Sequence, residues 1–277
     1  MISVVTPSYN MLSYLKCCHA SVFDQSPEGV EHIVVDGFSH DGTVEWLKSR
    51  EDITSIVEAD KGMYDAVNKG LQCAHGDIVA YLNCDEQYLH GTLPCVQNYL
   101  NMHPEVDLVF GDMLVVNPDL SLAGFRKGIR PSWIYFVASS LYLYTCTMFL
   151  RRNIIDDGFL FNSDLKMAGD FDFVVRVLRA GYVARHLKRY QSAFALTGHN
   201  LSGGEKGLEE GLDHLRGYAY KLVRFARLPI NIVRVAEKVF NGSYTQEWPL
   251  EYELYTSDDL TKRRSFSANS VTWRLKY

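Results

Sequence analysis

The segment Gly76–Tyr88, GDIVAYLNCDEQY, runs from strand-forming residues (Ile78–Leu82) straight into Asn83, Asp85 and Glu86. Neighbouring carboxylates repel each other and resist losing water, so such a cluster needs counter-charge or solvent. A hard divalent cation takes oxygen ligands, and magnesium typically uses one or two carboxylates plus the phosphates of a substrate. One strand-end carboxylate, with a diphosphate supplying the remaining oxygens, would meet that need. The strand end then serves as a binding floor.

Three further segments carry related chemistry. In VVDGFSHDGT, Asp36 stands at a strand tip, where it could accept a hydrogen bond from a base edge or a ribose hydroxyl. Asp41 and Thr43 in the same segment suit turn formation and capping of the following helix. In EADKGMYDAVNKG, Asp60 and Lys61 sit just before a helix start. A helix amino end with a lysine beside it suits a diphosphate, and an ordinary capped amphipathic helix accounts for the same residues equally well. In LKMAGDFDFVVRVL, Asp170 and Asp172 open a helix whose Phe173, Val174, Val177 and Leu178 turn inward. Two acids two residues apart cannot share a helix face, so at most one points into a cleft.

These residues need elements to hold them. The apolar runs ISVVTP, HIVVD, TSIVEA and DIVAYLN read as strands from their β-branched content. Met11–Phe23 and the stripe Met63, Val67, Gly70, Leu71, Ala74 read as helices between them. Such alternation predicts βαβ units around a mostly parallel sheet, and ligands of such sheets collect at the carboxyl ends of the strands. The polar residues do fall there: Thr6-Pro7-Ser8, Asp36-Gly37, Glu58-Ala59-Asp60 and Asn83-Cys84-Asp85-Glu86 each follow one strand.

The chain has 277 residues, 47% hydrophobic and 22% charged, with net charge −5. That is the composition of a globular domain with a sizeable core, and it gives a nucleic-acid partner no electrostatic support. The sequence opens on MISVVTPSYN without a basic stretch leading into an apolar one, so no secretory signal is expected. Six cysteines show neither CxxC pairing nor zinc spacing and read as reduced thiols of a cytoplasmic protein.

Together VVTPSYN, VVDGFSHDGT, DKGMYDAVNKG, GDIVAYLNCDE and AGDFDF resemble, in order and spacing over roughly residues 1–200, the family 2 glycosyltransferases. The likeness is closest to bacterial members that build capsule, O-antigen and exopolysaccharide. The resemblance implies an α/β GT-A fold: a Rossmann-like, mostly parallel central sheet flanked by helices, with a C-terminal helical extension. It divides the chain into a nucleotide-sugar-binding half (1–100), an acceptor-binding half (101–200) and an extension with a tail (201–277). Donor binding falls on Thr6, Pro7, Asp36, Asp60, Lys61, Asn83 and Asp85. Pro7 and Asp36 match positions that hold the base, and Asp60 matches the next wall of that pocket. Asp85 corresponds to the final acid of the family's DxD motif and would hold a divalent cation, Mn2+ or Mg2+. Asp170 matches the general base of inverting members. His199, in GHNLSGG, is a candidate acceptor or phosphate contact. The first acid of DxD is Asn83 here, which keeps an oxygen ligand but removes a charge. A UDP-sugar is the favoured donor, with a GDP-sugar next, and a saccharide or polyprenyl-linked saccharide is the implied acceptor.

The second half is less regular. VDLVFGDMLVVNPD reads as a strand and a hairpin-like pair broken at Gly111-Asp112, followed by strands near 146–150 and 183–196 and a helix from about Gly169 to Ala180. Arg126, Lys127 and Arg130 fit a solvated loop or a contact to a phosphate-bearing acceptor. Trp133–Leu150 is 18 residues without a charge, yet rich in Tyr, Ser and Thr. It reads as a buried helix leading into a buried strand rather than a membrane span. A helical stretch from about Glu205 to Phe240 is divided by Pro229. Its part from His214 to Phe240 sets six Lys or Arg against one acid, Glu237. This fits a solvated helix face or peripheral contact with an anionic membrane, which would place the protein at the inner face of the plasma membrane. The aromatics of 242–277 suggest no role.

Other classes fit less well. A sugar nucleotidyltransferase would show a Gly-rich basic loop after the first strand, and a dehydrogenase GxGxxG; VVTPSYNMLSYL shows neither. A non-catalytic nucleotide-binding or scaffold protein remains as the alternative, on the strength of Asn83.

Overall fold

The computed structural model describes residues 1–25, 29–139, 141–198, 223 and 225–271. The first half alternates as its sequence predicts: β1 (Ile2–Ser8), α1 (Leu12–Phe23), β2 (Val30–Asp36), α2 (Thr43–Lys48), β3 (Thr54–Val57), α3 (Met63–Cys73) and β4 (Ile78–Tyr81). Strands β3-β2-β1-β4 lie side by side in parallel. Their carboxyl ends are brought level, with Ser8 opposite Asp36 and Asp36 opposite Val57.

The period of two along β1 sorts its side chains between two cores. Val5 joins Val35, Val67 and Leu71 beneath α3, whereas Val4 joins Cys18, Val22 and Ala80 beneath α1. Gly70 lets α3 close on the sheet, since a methyl there would stand 2.3 Å from Val5 Cγ1.

The second half extends the sheet with β5 (Glu86–Tyr88), β6 (Leu108–Val116), β7 (Leu122–Arg126), β8 (Phe149–Arg151) and β9 (Ala184–Ala195). The full order is β3-β2-β1-β4-β8-β6-β9-β5, with β7 on β6, and this half is mixed in direction. The expected break at Gly111-Asp112 does not occur. β6 runs straight through, and the hairpin turns at Asn117–Ser121 instead. The physical reason is a change of partner: one edge of β6 pairs with β8 up to Val109 and with β7 from Met113. Gly111 is needed because a Cβ would meet Gln191 Cδ at 2.3 Å, and the register with β9 shifts there.

Helices α4 (Thr92–Met102), α5 (Trp133–Ala138), α6 (Asn153–Asp156) and α7 (Gly169–Arg179) cover the sheet. The uncharged Trp133–Leu150 segment becomes α5, a single 3-10 turn at Thr145–Thr147 and the start of β8, and most of its described residues are buried. Among the described residues no helix is long and apolar enough to cross a membrane.

Beyond residue 200 lie α8 (Arg227–Phe240), β10 (Leu250–Thr256) and β11 (Asp259–Ala268). Pro229 stands in the first turn of α8, where a missing N–H costs nothing; Val223 and Phe225 before it are helical and Ala226 is a turn, so the helical stretch breaks next to this proline. Most of the stretch 205–226 lies outside the described residues. The tail is an antiparallel hairpin, and its aromatics do find a role. Tyr252 and Leu254 pack on Leu114, Val116 and Ala193. Gln87 pairs through its amide with both backbone groups of Tyr255, at 2.8 and 3.0 Å. Arg263, 5% exposed, grips Asp24 at the end of α1 through Nε (2.6 Å) and Nη2 (2.8 Å), and donates to the Tyr88 carbonyl at 2.8 Å. Removing one partner strands the other charge, so Arg263→Ala is expected to cost about 3 kcal/mol in urea unfolding. A loss under about 0.5 kcal/mol, the usual worth of an exposed pair, would show that the hairpin is not clamped there.

Candidate functional site

The tips of β1 and β2 are tied together by a loop that the sequence encodes closely. Asn10 Oδ1 accepts from the His40 N–H (2.8 Å), and the Asn10 N–H donates to Ser39 Oγ (2.7 Å). Asp41 accepts from Thr43 N–H and Oγ1 in a turn just ahead of the helix cap, which is Gly42 rather than Asp41 or Thr43, and also from the Leu12 N–H at the head of α1. Asp36 lies under this loop. It is fully buried, its two carboxylate oxygens taken by the Ser39 N–H (2.8 Å) and Ser39 Oγ (2.7 Å). It orders the loop in which Phe38 takes the left-handed region at φ 64°.

Thr6 likewise turns away. The alternation of β1 sends its side chain to the α1 face, where Oγ1 lies 2.9 Å from His32 Nε2 and 3.7 Å from Cys18 Sγ. Pro7 takes the opposite face, and its carbonyl receives the Cys84 thiol at 3.2 Å. Tyr9, two residues beyond Pro7, went unremarked in the sequence except as part of a motif. It is 62% exposed. A methyl group on Gly37 would stand 2.7 Å from Asp60 Oδ2 and 3.5 Å from Tyr9 Cδ2. The glycine therefore lets the Asp60 carboxylate and an exposed aromatic ring meet on one wall. A cavity of about 800 Å3 is lined by Tyr9, the start of α1, Asp41, Thr197 and Ser257; Asp60, Asp85 and Asp170 do not line it.

Asp60 and Lys61 form the loop into α3. Asp60 Oδ1 accepts from the Gly62 N–H (2.8 Å), the Lys61 N–H donates to Asp65 (3.1 Å), and Lys166 Nζ reaches the Lys61 carbonyl (2.6 Å). Lys166 thereby ties this loop to the segment before α7.

At the tip of β4 the opening puzzle resolves into two different carboxyls. Glu86 turns into the protein, 3% exposed, and accepts the Asn83 N–H at 2.7 Å. Burial, and then the neighbouring Asp85, push its pKa well above the usual carboxylate range, so this acid holds its proton. Asp85 stays half-buried, with its carbonyl fixed by the Ala195 N–H at 2.9 Å. Protonating Glu86 leaves one net carboxylate at the strand end. Among the described residues no three His, Cys, Asp or Glu side chains gather to hold a metal by themselves. A strand tip that offers one carboxylate (Asp85) and one amide oxygen (Asn83) fits a hard cation that draws its remaining oxygens from phosphate and water.

Asp170 and Asp172 separate as their spacing requires. Asp172 is buried and paired with Arg176 one turn on, at 2.8 Å. Asp170 is half-buried at the head of α7, with Oδ1 accepting the Phe171 N–H (2.7 Å) and standing 3.5 Å from Tyr64 Oη. Beneath it Tyr64, Phe161 and Phe173 stack in series, and Tyr81 meets Phe161 edge-on. Burial among these rings pushes the Asp170 pKa up to about 6, against the N–H and hydroxyl donors that pull it down. Burial first, then Tyr64, Asp170 and Glu86, keep the Tyr81 hydroxyl protonated.

Tyr64 and Tyr81 were thus missed as site residues, whereas Glu86 stood in the strand-end acidic cluster from the start. The only hint was KGMY at a helix start, and the partner of Tyr64 lies more than a hundred positions away. Gly169 allows the approach: a Cβ there would meet the Tyr64 ring at 2.6 Å. Gly169→Ala is expected to cost about 1–3 kcal/mol in thermal or urea unfolding, because the ring cannot retreat from Phe161. A neutral substitution would mean that the ring has room. His199 lies outside the described residues.

Residues 3–173 match the family described as Glycosyl transferase family 2. A PGL/p-HBAD biosynthesis glycosyltransferase of Mycobacterium bovis (strain BCG / Pasteur 1173P2) is 25% identical over 190 residues, covering 64% of this chain and 69% of that protein. S. aureus TarS 1-349, solved in complex with UDP-GlcNAc, superposes with a TM-score of 0.59 at 19% identity, over 76% of this chain. The match spans 64% of that structure, a little under two thirds. The mannosyltransferase PcManGT from Pyrobaculum calidifontis, solved with GDP-Man and Mn2+, superposes with a TM-score of 0.54 at 17% identity, over 87% of this chain and 76% of that one. These structural likenesses establish the GT-A fold.

Proposed function

The chain belongs to glycosyl transferase family 2, and from that premise we propose that it is an inverting, metal-dependent hexosyltransferase of cell-surface polysaccharide synthesis. The donor is a nucleotide sugar, a UDP-sugar first and a GDP-sugar next. The acceptor is a hydroxyl of a saccharide or polyprenyl-linked saccharide, met from the cytoplasm at the inner face of the plasma membrane. A relative named for PGL/p-HBAD biosynthesis and neighbours solved with UDP-GlcNAc and GDP-Man support this choice.

The observation that carries the reading is the Asp170 carboxyl. A group with pKa about 6 is ionised at neutral pH, yet basic enough to take a proton from an attacking hydroxyl. Asp170 Oδ removes that proton, and the acceptor oxygen forms its bond to the anomeric carbon from the opposite side as the bond to the diphosphate breaks. The anomeric centre inverts in one step. Tyr64, hydrogen-bonded at the Asp170 amide (3.3 Å), holds the head of α7 in place. Tyr9, Gly37 and Asp60 form the wall against which the nucleoside lies, with Pro7 on the same side. Asp85, with Asn83 beside it, would hold a divalent cation, which supplies counter-charge to the departing diphosphate. Glu86, kept neutral, spares the cleft a second repelling charge.

The test is a panel of UDP-, GDP- and dTDP-sugars incubated with manganese, magnesium or EDTA, with released nucleotide measured. Metal-dependent release from one donor is expected. A chain that binds a donor but releases nothing, with or without saccharide acceptors, would be the non-catalytic scaffold that Asn83 allows.

A further inference from the structure

Helix α8 is mounted inside out. Its polar residues face the protein: Arg227 Nε (2.9 Å) and Asn231 Nδ2 (3.1 Å) both donate to the Ala138 carbonyl at the end of α5. Glu237 takes Arg130 Nε (3.0 Å) and the Tyr135 hydroxyl (3.0 Å), and Lys238 lies over the Tyr142 ring. Ile230 is the apolar residue of the helix that packs on the core.

The outer face is apolar. At 3.6 residues per turn, Leu228, Ile232, Val233, Val235, Val239 and Phe240 fall within an arc of roughly 160°. All six are exposed, Leu228 by 72% and Phe240 by 89%, and Phe225, just before the helix, by 90%. A soluble helix normally turns such a face inward. A contiguous exposed patch of this size marks a binding surface.

The surrounding charge selects the partner. Residues 126–138 and α8 together carry Arg126, Lys127, Arg130, Arg227, Arg234 and Lys238 against one acid, Glu237, which Arg130 already engages. Two copies meeting across this face would bring their cations together, whereas an anionic lipid surface neutralises them. Apolar side chains flanked by Arg and Lys are the composition of a helix that lies in the plane of a membrane interface.

We propose that α8 docks the protein on anionic phospholipid bilayers by inserting Leu228, Ile232, Val239 and Phe240 among the acyl chains, the positive field of the surrounding Arg and Lys favouring anionic headgroups. The apolar face, rather than the basic one that the sequence suggests, makes the contact. α5 lies between α8 and α7, the helix that carries Asp170, so docking would bring a membrane-borne acceptor to that side of the fold.

The test is flotation of the full chain with vesicles of phosphatidylcholine alone or with a third phosphatidylglycerol. It needs no donor and no turnover, so its failure is separate from a failure of the transferase reading. The variant L228S/I232S/V239S alters only exposed side chains, and circular dichroism melting checks that it stays folded. The full chain should float with anionic vesicles, bind phosphatidylcholine alone less well, and lose roughly tenfold or more of its partitioning in the variant. No preference for anionic vesicles, or equal flotation of the variant, would overturn the proposal. So would a dimer in sedimentation equilibrium that the variant breaks while vesicles bind neither form, since the face would then belong to a second copy. Cover by residues 199–222 of the same chain would be seen as a monomer that binds no vesicle, and would overturn it too.

Discussion

Asp170→Asn should lose about 10²- to 10⁴-fold in sugar transfer, the usual contribution of a positioned general base, while the folded protein becomes more stable. Both effects come from the same carboxyl. Its pKa in the fold, about 6, lies above the ordinary value of 3.8, so the folded chain binds this proton more tightly than the unfolded chain. The stability it brings is fully present below pH ~4 and is lost as pH rises through about 6. At neutral pH the ionised group therefore costs stability, roughly 1–2 kcal/mol once its partial exposure is allowed for. The uncharged amide removes that cost. Activity runs the other way, because the base must be ionised: kcat/KM should climb as pH rises through about 6 and then level off. The checks are kcat/KM against pH and urea unfolding of both proteins. A variant within tenfold of the wild type in transfer would show that another group takes the proton.

Asp85→Ala should remove metal-dependent turnover, by roughly 100-fold or more if the cation contributes several kcal/mol to leaving-group departure. The fold should survive, because the backbone of residue 85 is held by the Ala195 N–H, and because Glu86 loses a repelling neighbour. Calorimetric titration of the donor with and without manganese separates the possibilities. The wild type should bind more tightly with the metal, and the variant should bind equally with and without it. If the variant kept the metal effect, the cation would be held elsewhere, and Asn83 would be a ribose partner rather than part of a metal site.

The alternation of β-branched runs with helical stripes made the parallel half of the fold legible, because both periodicities are local properties of the chain. It also located the strand tips, and with them Pro7, Asp60, Asn83 and Asp85. The direction of each side chain was less accessible. Thr6 and Asp36 stand at the right tips, yet one faces Cys18 and His32 and the other is consumed by Ser39. A period of two assigns faces without saying which face borders the cleft. Asp170 and Asp172 illustrate the same limit, since Arg176 claims one of them and the aromatic stack surrounds the other. The partners that raise the Asp170 pKa come from α3 and the segment before α7. Their convergence depends on Gly169, a contact across more than a hundred residues that no local pattern encodes.

Helix α8 makes the division plainest. Its sequence fixes an apolar stripe and a polar stripe, since the helical repeat alone arranges them. Which stripe meets the protein was decided by α5, whose terminal Ala138 carbonyl and Tyr135 hydroxyl offer polar partners where a core would offer apolar ones. Unsatisfied backbone carbonyls and charges demand hydrogen bonds, so the polar stripe turned inward and the apolar one was left facing outward.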